Sequence, residues 1–376
     1  MRFLHLSDLH IGRRLNGFSL LEDQRAVLEE ALAMASECDA VLLAGDLYDK
    51  AQPSAEAIRL MSDFLVRLSR MEKLVFAVSG NHDSAEQVAY CRELLGACGV
   101  WVSPVFDGTL SCHTLQDEWG EVCMWLMPFL RPASVRPFAP DVKTYEDAVR
   151  FALSTADLND GRRHVLVAHQ YVSGAEVCES EMRLIGGIDQ VGLGAFDGFD
   201  YVALGHLHSP QQLDGGRVCY AGSPMPYSLS EEKQRKAALM ITLQQKGSLS
   251  VEKHPFHPRH VLRTVTGTLA QVSDPENYSE DYVYAVLTDE GTLMDPLGAL
   301  RLTYPRLIGM RIQNSRTNEE AAAIENIDAE SLSPLEHFSA FYEAQNHQQS
   351  LDERRIAMMK KIIEEAEGKR YAPTQP

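Results

Sequence analysis

The chain has 376 residues, 45% hydrophobic and 23% charged, which suits one or two globular domains and excludes a disordered chain, a collagen-like repeat or a small disulfide scaffold. Lysine and arginine number 35 against 53 aspartates and glutamates, and the formal net charge of -18 excludes capture of a polyanion by bulk positive charge. The seven cysteines (Cys38, Cys91, Cys98, Cys112, Cys123, Cys178 and Cys219) are odd in number and form no C-x-x-C pair, so free thiols in a reducing, cytoplasmic setting are expected. The opening M-R-F-L-H-L-S-D-L-H is too polar for a signal peptide, and no apolar run approaches the roughly 18 residues of a membrane span, so no membrane association is expected.

From residue 1 to about 255, short apolar strands alternate with helical stretches. Strands are predicted at 2–6, 40–43, 74–78, 122–127, 164–168 and 201–204, each of nearly continuous apolar character, as strands buried on both faces are. Residues 20–36 and 55–69 carry apolar side chains at three- and four-residue spacing and are predicted amphipathic helices. The expected class is α/β with a layered sheet core.

Near His254, Pro255, Phe256 and His257 the texture changes. Strand-like segments at 261–268, 281–288 and 307–313, with a helical candidate at 295–302, predict a small α+β domain over residues 256–315. Residues 316–333 are acidic, alanine-rich and too poor in apolar side chains to build a core, which predicts a linker. Residues 334–376 return to helical periodicity, with Leu335, Phe338, Phe341 and Tyr342 on one stripe and Ile356, Met359, Ile362 and Ile363 on another. Ser333, Pro334 and Glu336 have the order of an N-cap, N1 proline and capping box. A tail of this pattern either folds back on its own chain or grips a partner.

The chemistry-bearing residues fall in five short segments. Asp8 and His10 (S-D-L-H) follow the first strand; Asp46 and Asp49 (G-D-L-Y-D) follow the second; Asn81, His82 and Asp83 (G-N-H-D) follow the third. His169 (A-H-Q) follows a later strand, and His206 with His208 (G-H-L-H) the next. Singly, S-D-L-H reads as a turn or helix cap, G-D-x-x-D as an Asx turn, and A-H-Q as a satisfied polar group. In series they are not explained by packing, because every segment lies just past the C-terminal end of a strand, where the ligands of α/β sheets bind.

Asp, His and Asn without Cys is mixed oxygen and nitrogen ligation, suited to Mn²⁺, Fe²⁺ or Zn²⁺ rather than Ca²⁺. So many candidates exceed the needs of one metal. Two metals roughly 3.5–4 Å apart need a bridging carboxylate and clamp the attacking and leaving oxygens of a displacement at phosphorus, so the chemistry expected is phosphoester hydrolysis.

In this order D-x-H, G-D-x-x-D, G-N-H-D, A-H-Q and G-H-x-H resemble the calcineurin-like metallophosphoesterase superfamily, over about residues 1–255. Within it the chain is most similar to the DNA repair nuclease branch, through its opening F-L-H-L-S-D-L-H-I-G, Gln170 after His169, Ala-Gly-Ser-Pro at 221–224, the Tyr304–Pro305 pair and the helical tail. The resemblance implies a layered β-sandwich flanked by helices, a small α+β capping domain that touches DNA, and a tail that binds a coiled coil.

It further implies that Asp8, His10, Asp46 and His208 hold one metal and Asp46, Asn81, His169 and His206 the other, with Asp46 as the bridge. His82 is then no ligand but stabilises or protonates the reacting phosphate, with Asp83 fixing its tautomer and raising its basicity, and Asp49 orients a ligand histidine. Arg13, Arg14 and Lys50 read equally as phosphate contacts and as solvated loop charges.

The cofactors implied are two divalent ions, manganese first and magnesium second. The partners implied are DNA, a second copy of the chain, and two copies of an ABC-type ATPase with long coiled coils, a homodimer within a heterotetramer. By family analogy the helices at 55–69 and 87–95 are candidates for the dimer interface. The reaction implied is ATP-dependent 3′ to 5′ exonuclease action on duplex ends with endonuclease action on single strands and hairpins. The rival reading is a stand-alone phosphodiesterase acting on small nucleotides, against which the roughly 120 residues after 255 count.

Overall fold

The computed structural model describes residues 1–176 and 190–315 and, beyond them, 335, 338–339, 342–343, 351–352, 354–360 and 362. Its first strands are β1 (Arg2–Leu6), the short pair β2 (Arg14–Leu15) and β3 (Phe18–Ser19), β4 (Ala40–Ala44), β5 (Leu74–Val78), β6 (Val100–Val102), β7 (Ser111–Asp117) and β8 (Gly120–Met127). They are followed by β9 (Arg163–His169), β10 (Tyr201–Gly205), β11 (Gln211–Leu213), β12 (Val218–Tyr220), β13 (Ala237–Leu243) and β14 (Leu249–Pro255). Two six-stranded sheets result, one in the order β14-β13-β1-β4-β5-β6 and the other β11-β12-β10-β9-β8-β7.

Side chains alternate across a strand, and that alternation sorts the apolar residues into three cores. In β4, Val41 and Leu43 join Val27 and Leu28 of helix α1 (Leu21–Ala35) and Leu60, Met61 and Phe64 of helix α2 (Ala55–Arg70). Ala40, Leu42 and Ala44 join Val165, Val167, Tyr201 and Ala203 of the opposite sheet. On the far face of that sheet, Leu166, Ala168, Val202 and Leu204 pack with Ala148, Val149 and Ala152, which lie on a helix at Tyr145–Leu153. The expected layered α/β architecture is therefore two stacked sheets between two helical layers. Fully burying a side chain such as Phe64 contributes about 1.5–3 kcal/mol.

Helix α2 starts where Ser54 accepts the amide of Ala57 at 3.2 Å, and it ends with Arg67 and Arg70 in its last turn, where cations offset the helix dipole. The helix expected at 87–95 is instead two short ones, α3 (Ala85–Val88) and α4 (Arg92–Gly96). Cys91, at a left-handed φ of 57°, stands at the start of α4, and an α-helix cannot continue through that geometry.

Two compact units are present: Met1–Thr264 with Glu280–Tyr284, and Val265–Ser279 with the described residues from Ala285 on. The small three-stranded sheet has the order β15 (Leu262–Gly267), β16 (Tyr282–Leu287), β17 (Leu307–Ile312), and Pro296–Thr303 is helical, close to the segments expected at 261–313. In the second unit, Tyr304 is buried and its hydroxyl donates to the Val272 carbonyl at 3.0 Å. The linker expected at 316–333 and the capping box at Ser333, Pro334 and Glu336 lie outside the described residues, whereas the described positions at 338–339, 342–343 and 354–360 are helical. Among the described residues no helix is long and apolar enough to cross a membrane.

Candidate metal centre

The parallel register of β1, β4 and β5 in one sheet, and of β9 and β10 in the other, sets their C-terminal ends side by side. Beyond those ends the chain turns sharply. Asp8, His10, Asp46 and His206 take positive φ values of 50°, 42°, 48° and 106°, each costing of order 1–3 kcal/mol. Hydrogen bonds between the loops hold them there. The Asp8 amide donates to the Gly45 carbonyl at 3.1 Å, the His10 amide to the Asp46 carbonyl at 2.9 Å, and the His206 amide to the Asp8 carboxylate at 3.0 Å. Gly80 is required by proximity, since a Cβ there would stand 2.1 Å from Asp46 Oδ1.

The seven donors meet in one buried cluster. Asn81 Oδ1 lies 2.9 Å from both His169 Nε2 and His206 Nδ1. Asp46 Oδ2 lies 3.5 Å from His169 Nε2 and 3.6 Å from His10 Nε2, and His10 Nε2 faces His208 Nε2 at 3.3 Å. Asp8 with His10 and His208, His10 with Asp46 and His82, and Asp8 with Asp46 and His169 each gather three donor atoms within 4.8 Å of one another. Asp46 thus sits at the centre of the set, the position a bridge needs.

The donor set fits divalent cations by its chemistry: carboxylate, amide-oxygen and imidazole donors converge, and the Nε2 atoms of His10 and His208 stand 3.3 Å apart, within reach of one ion. His10 Nδ1, on the other side of the ring, is buried with no hydrogen-bond partner. His169 Nδ1 donates to the Ala44 carbonyl at 2.8 Å, which directs Nε2 into the cluster, the orientation a metal-binding histidine requires.

The titrating groups are strongly perturbed for the same reason. Burial pushes Asp8 up to about 6, with the Asp46 charge adding to it and His169 and His208 opposing. Burial also lowers His206 to about 3, helped by His169, and holds His10 well below the usual histidine value. At His169 burial works downward but the Asp46 carboxylate outweighs it, raising the imidazole to about 9. Asp46 is held low, the histidines around it overcoming its burial.

Two expectations for the neighbouring residues need correction. Asp83 does not touch the His82 ring: its carboxylate accepts the amides of Gly80, Leu47 and Tyr48 at 2.9, 3.1 and 3.0 Å and so ties the second loop to the third. The His82 tautomer is set by the backbone carbonyl of Asp49, 3.0 Å from Nδ1, while the Asp49 carboxylate pairs with Arg13 at 2.7 Å rather than orienting a ligand histidine. The two side chains reach the second loop at different points, the ring at the Asp49 carbonyl and the carboxylate at the Leu47 and Tyr48 amides.

Arg13 also lies over the Tyr227 ring, 5.9 Å from its centroid. Arg14 is exposed and bonds the Gly17 carbonyl, Lys50 is exposed, and among the described residues no hydrogen bond ties either to the donor cluster.

Several supports carry no mark in the sequence. Gln24 of α1 donates to the carbonyls of Leu9 and His10 at 3.2 and 2.8 Å and accepts the Gly12 amide at 2.9 Å, shaping the first loop. Phe129 stacks on His206 with centroids 6.1 Å apart. Buried Glu231 accepts from His208 Nδ1 at 3.0 Å. A glutamine inside an amphipathic helix and a glutamate in E-E-K-Q-R-K look like solvated polar residues, so no local pattern distinguishes them.

Residues 1–210 match the family model described as calcineurin-like phosphoesterase, and the chain belongs to that family of metal-dependent phosphoester hydrolases. Residues 258–346 match a second model, SbcD_C, described as the type 5 capsule protein repressor C-terminal domain. The two together make the chain an SbcD-type member of the family. Among solved structures it is similar to the crystal structure of TT1561 of Thermus thermophilus, at 14% identity over 67% of this chain and 98% of that one, with a TM-score of 0.38.

Proposed function

We propose that the chain is the nuclease subunit of an SbcCD-type complex and hydrolyses DNA phosphodiesters at a two-metal centre in repair and recombination. The observation that carries this reading is the meeting of seven oxygen and nitrogen donors at the strand ends, in a chain that also carries the SbcD C-terminal domain. Asp8, His10, Asp46 and His208 hold one ion, and Asp46, Asn81, His169 and His206 the other. Divalent ions there, manganese before magnesium, supply charge to the phosphoryl oxygens and lower the pKa of a water.

The chain's own residues do the rest. With Nδ1–H of His82 given to the Asp49 carbonyl, Nε2 is left to move a proton at the reacting phosphate. Two divalent charges outweigh the carboxylates of Asp8 and Asp46, so the centre draws a phosphodiester even on a chain of net charge -18. Arg13, paired with the Asp49 carboxylate, is assigned the contact to the strand being cut.

An apolar groove of about 630 Å³ between α2 and the α3–α4 segment, lined by Met61, Leu65, Val88 and Leu95, supports pairing of two copies of the chain. Ile58 and Tyr90, which also line it, are exposed. The SbcD_C match over residues 258–346 is the ground for assigning docking on the coiled coil of an SbcC-like ATPase to the tail and DNA contact to residues 256–315.

The test is hydrolysis by the purified chain with Mn²⁺ of bis-p-nitrophenyl phosphate, linear duplex DNA and hairpin DNA, each with and without the ATPase and ATP. DNA cleavage that rises with the ATPase supports the reading. Turnover of the small ester with DNA untouched under every condition replaces it with the stand-alone phosphodiesterase.

A further inference from the structure

His208 is the donor with the most elaborate backing, and that backing comes from a segment with no part in the ligand set. Glu231 Oε1 lies 3.0 Å from His208 Nδ1, while Glu231 Oε2 lies 2.6 Å from Lys236 Nζ. Lys236 Nζ also donates to the carbonyl of His208 itself at 2.8 Å and to Ser223 Oγ at 2.8 Å. The Ser223 amide donates to that same His208 carbonyl at 3.1 Å. Glu231 is 0% and Lys236 6% exposed, so this ion pair lies inside the protein.

A buried ion pair is weak ground for stability, because desolvating both charges offsets their attraction, and a role in positioning accounts for it better. A carboxylate on the far nitrogen of a metal-binding histidine fixes the tautomer and the ring. A lone buried carboxylate would also add a negative charge behind a centre already holding Asp8 and Asp46. Lys236 cancels that charge, while the His208 carbonyl it touches is held independently by the Ser223 amide.

The Ala-Gly-Ser-Pro stretch at 221–224 completes the arrangement. Gly222, at φ 77°, lies so close that a Cβ there would be 2.6 Å from the His208 carbonyl oxygen, and Ser7 holds the Gly222 carbonyl at 3.2 Å.

We propose that Glu231 is a positioning residue that presents His208 Nε2 to one metal of the centre, with Lys236 as the counter-ion that neutralises it. The inference rests on the two-metal reading given above.

Two double variants test it, because either single change strands a buried charge. Glu231→Gln with Lys236→Met keeps an acceptor for His208 Nδ1 without charge, whereas Glu231→Leu with Lys236→Met removes the acceptor. Isothermal titration with Mn²⁺ is expected to show two sites in the wild type. One of them should weaken about 10–100-fold in the leucine variant and be restored to within a few-fold in the glutamine variant. Equal weakening in the two variants, or none in either, overturns the positioning role. Fewer than two Mn²⁺ sites in the wild type overturns the two-metal reading instead.

Histidine ¹⁵N shifts of the metal-free wild type give a measurement that depends on no variant. His208 protonated at Nδ1 is expected, and His208 protonated at Nε2 alone rejects the positioning role.

Discussion

The His82 ring is oriented by the backbone carbonyl of Asp49, 3.0 Å from Nδ1, and not by any carboxylate. A carbonyl fixes the tautomer without lending charge and leaves Nε2 as the acceptor of the ring. His82→Ala is expected to lower hydrolysis of bis-p-nitrophenyl phosphate by about 10²–10⁴-fold with both Mn²⁺ ions still bound. Unchanged turnover at full metal occupancy would remove His82 from the reaction.

The same geometry separates Asp49 from its own backbone. Asp49→Ala keeps the carbonyl that His82 uses and loses only the pairing with Arg13. The expected effect is a higher KM for DNA, with kcat on the small ester within a few-fold of wild type. A loss of kcat as deep as that of His82→Ala would show that the carboxylate acts on the ring after all.

Asp83 is expected to behave as a structural tie. Its carboxylate accepts three backbone amides, and hydrogen bonds to a charged group contribute about 1.5–3 kcal/mol each. Asp83→Asn replaces one acceptor oxygen with a donor and should lower the unfolding free energy, measured by denaturant titration, by a comparable amount, with the pH profile of the hydrolysis unmoved. A displaced pH profile at unchanged stability would return Asp83 to tuning His82.

Acid sensitivity is expected from His5, which is buried and spans the two sheets. Its Nε2 donates to the Leu204 carbonyl at 3.1 Å, so Nδ1 must accept from the Tyr201 hydroxyl at 2.8 Å, and burial lowers the imidazole to about 3. Between pH 6.5 and about 3 the unfolded chain takes up a proton that the folded one refuses, so stability falls as pH falls across that window. The slope contributed is at most about 1.4 kcal/mol per pH unit. Urea midpoints of the metal-free protein at pH 7 and 5 should fall further for the wild type than for His5→Gln, and equal falls would exonerate His5.

Metal should stabilise the fold as well as enable chemistry. Divalent ions would take up the donors that converge at Asp8, His10, Asp46 and His208, and a ligand at 100 times its Kd contributes about 2.7 kcal/mol. Chelation should therefore lower Tm by several degrees, and Mn²⁺ should restore it. A Tm indifferent to Mn²⁺ would mean that these residues hold no ion.

The donors are legible in the sequence because each follows a strand of obvious apolar character by one to a few residues, as Asp46 follows Ala40–Ala44 and His206 follows Tyr201–Gly205. Their supports are not. Glu231 lies 23 residues from His208, Gln24 lies 14 from His10, and such pairings depend on how strands and helices stack rather than on spacing. Adjacency in sequence also misleads, since His82 and Asp83 are neighbours whose side chains take different backbone partners rather than each other. Strand β13 is hidden because A-A-L-M-I-T-L suits a buried helix as well as a strand, yet it is the antiparallel neighbour of β1.

Asp8, Asp46 and Asn81 stand at the ends of β1, β4 and β5, whereas His169 and His206 stand at the ends of β9 and β10, on the opposing sheet. The centre is thus a rivet across the seam of the sandwich: an ion held by both sets of donors would be bonded to both sheets at once, and removing it would loosen their seating together with the site.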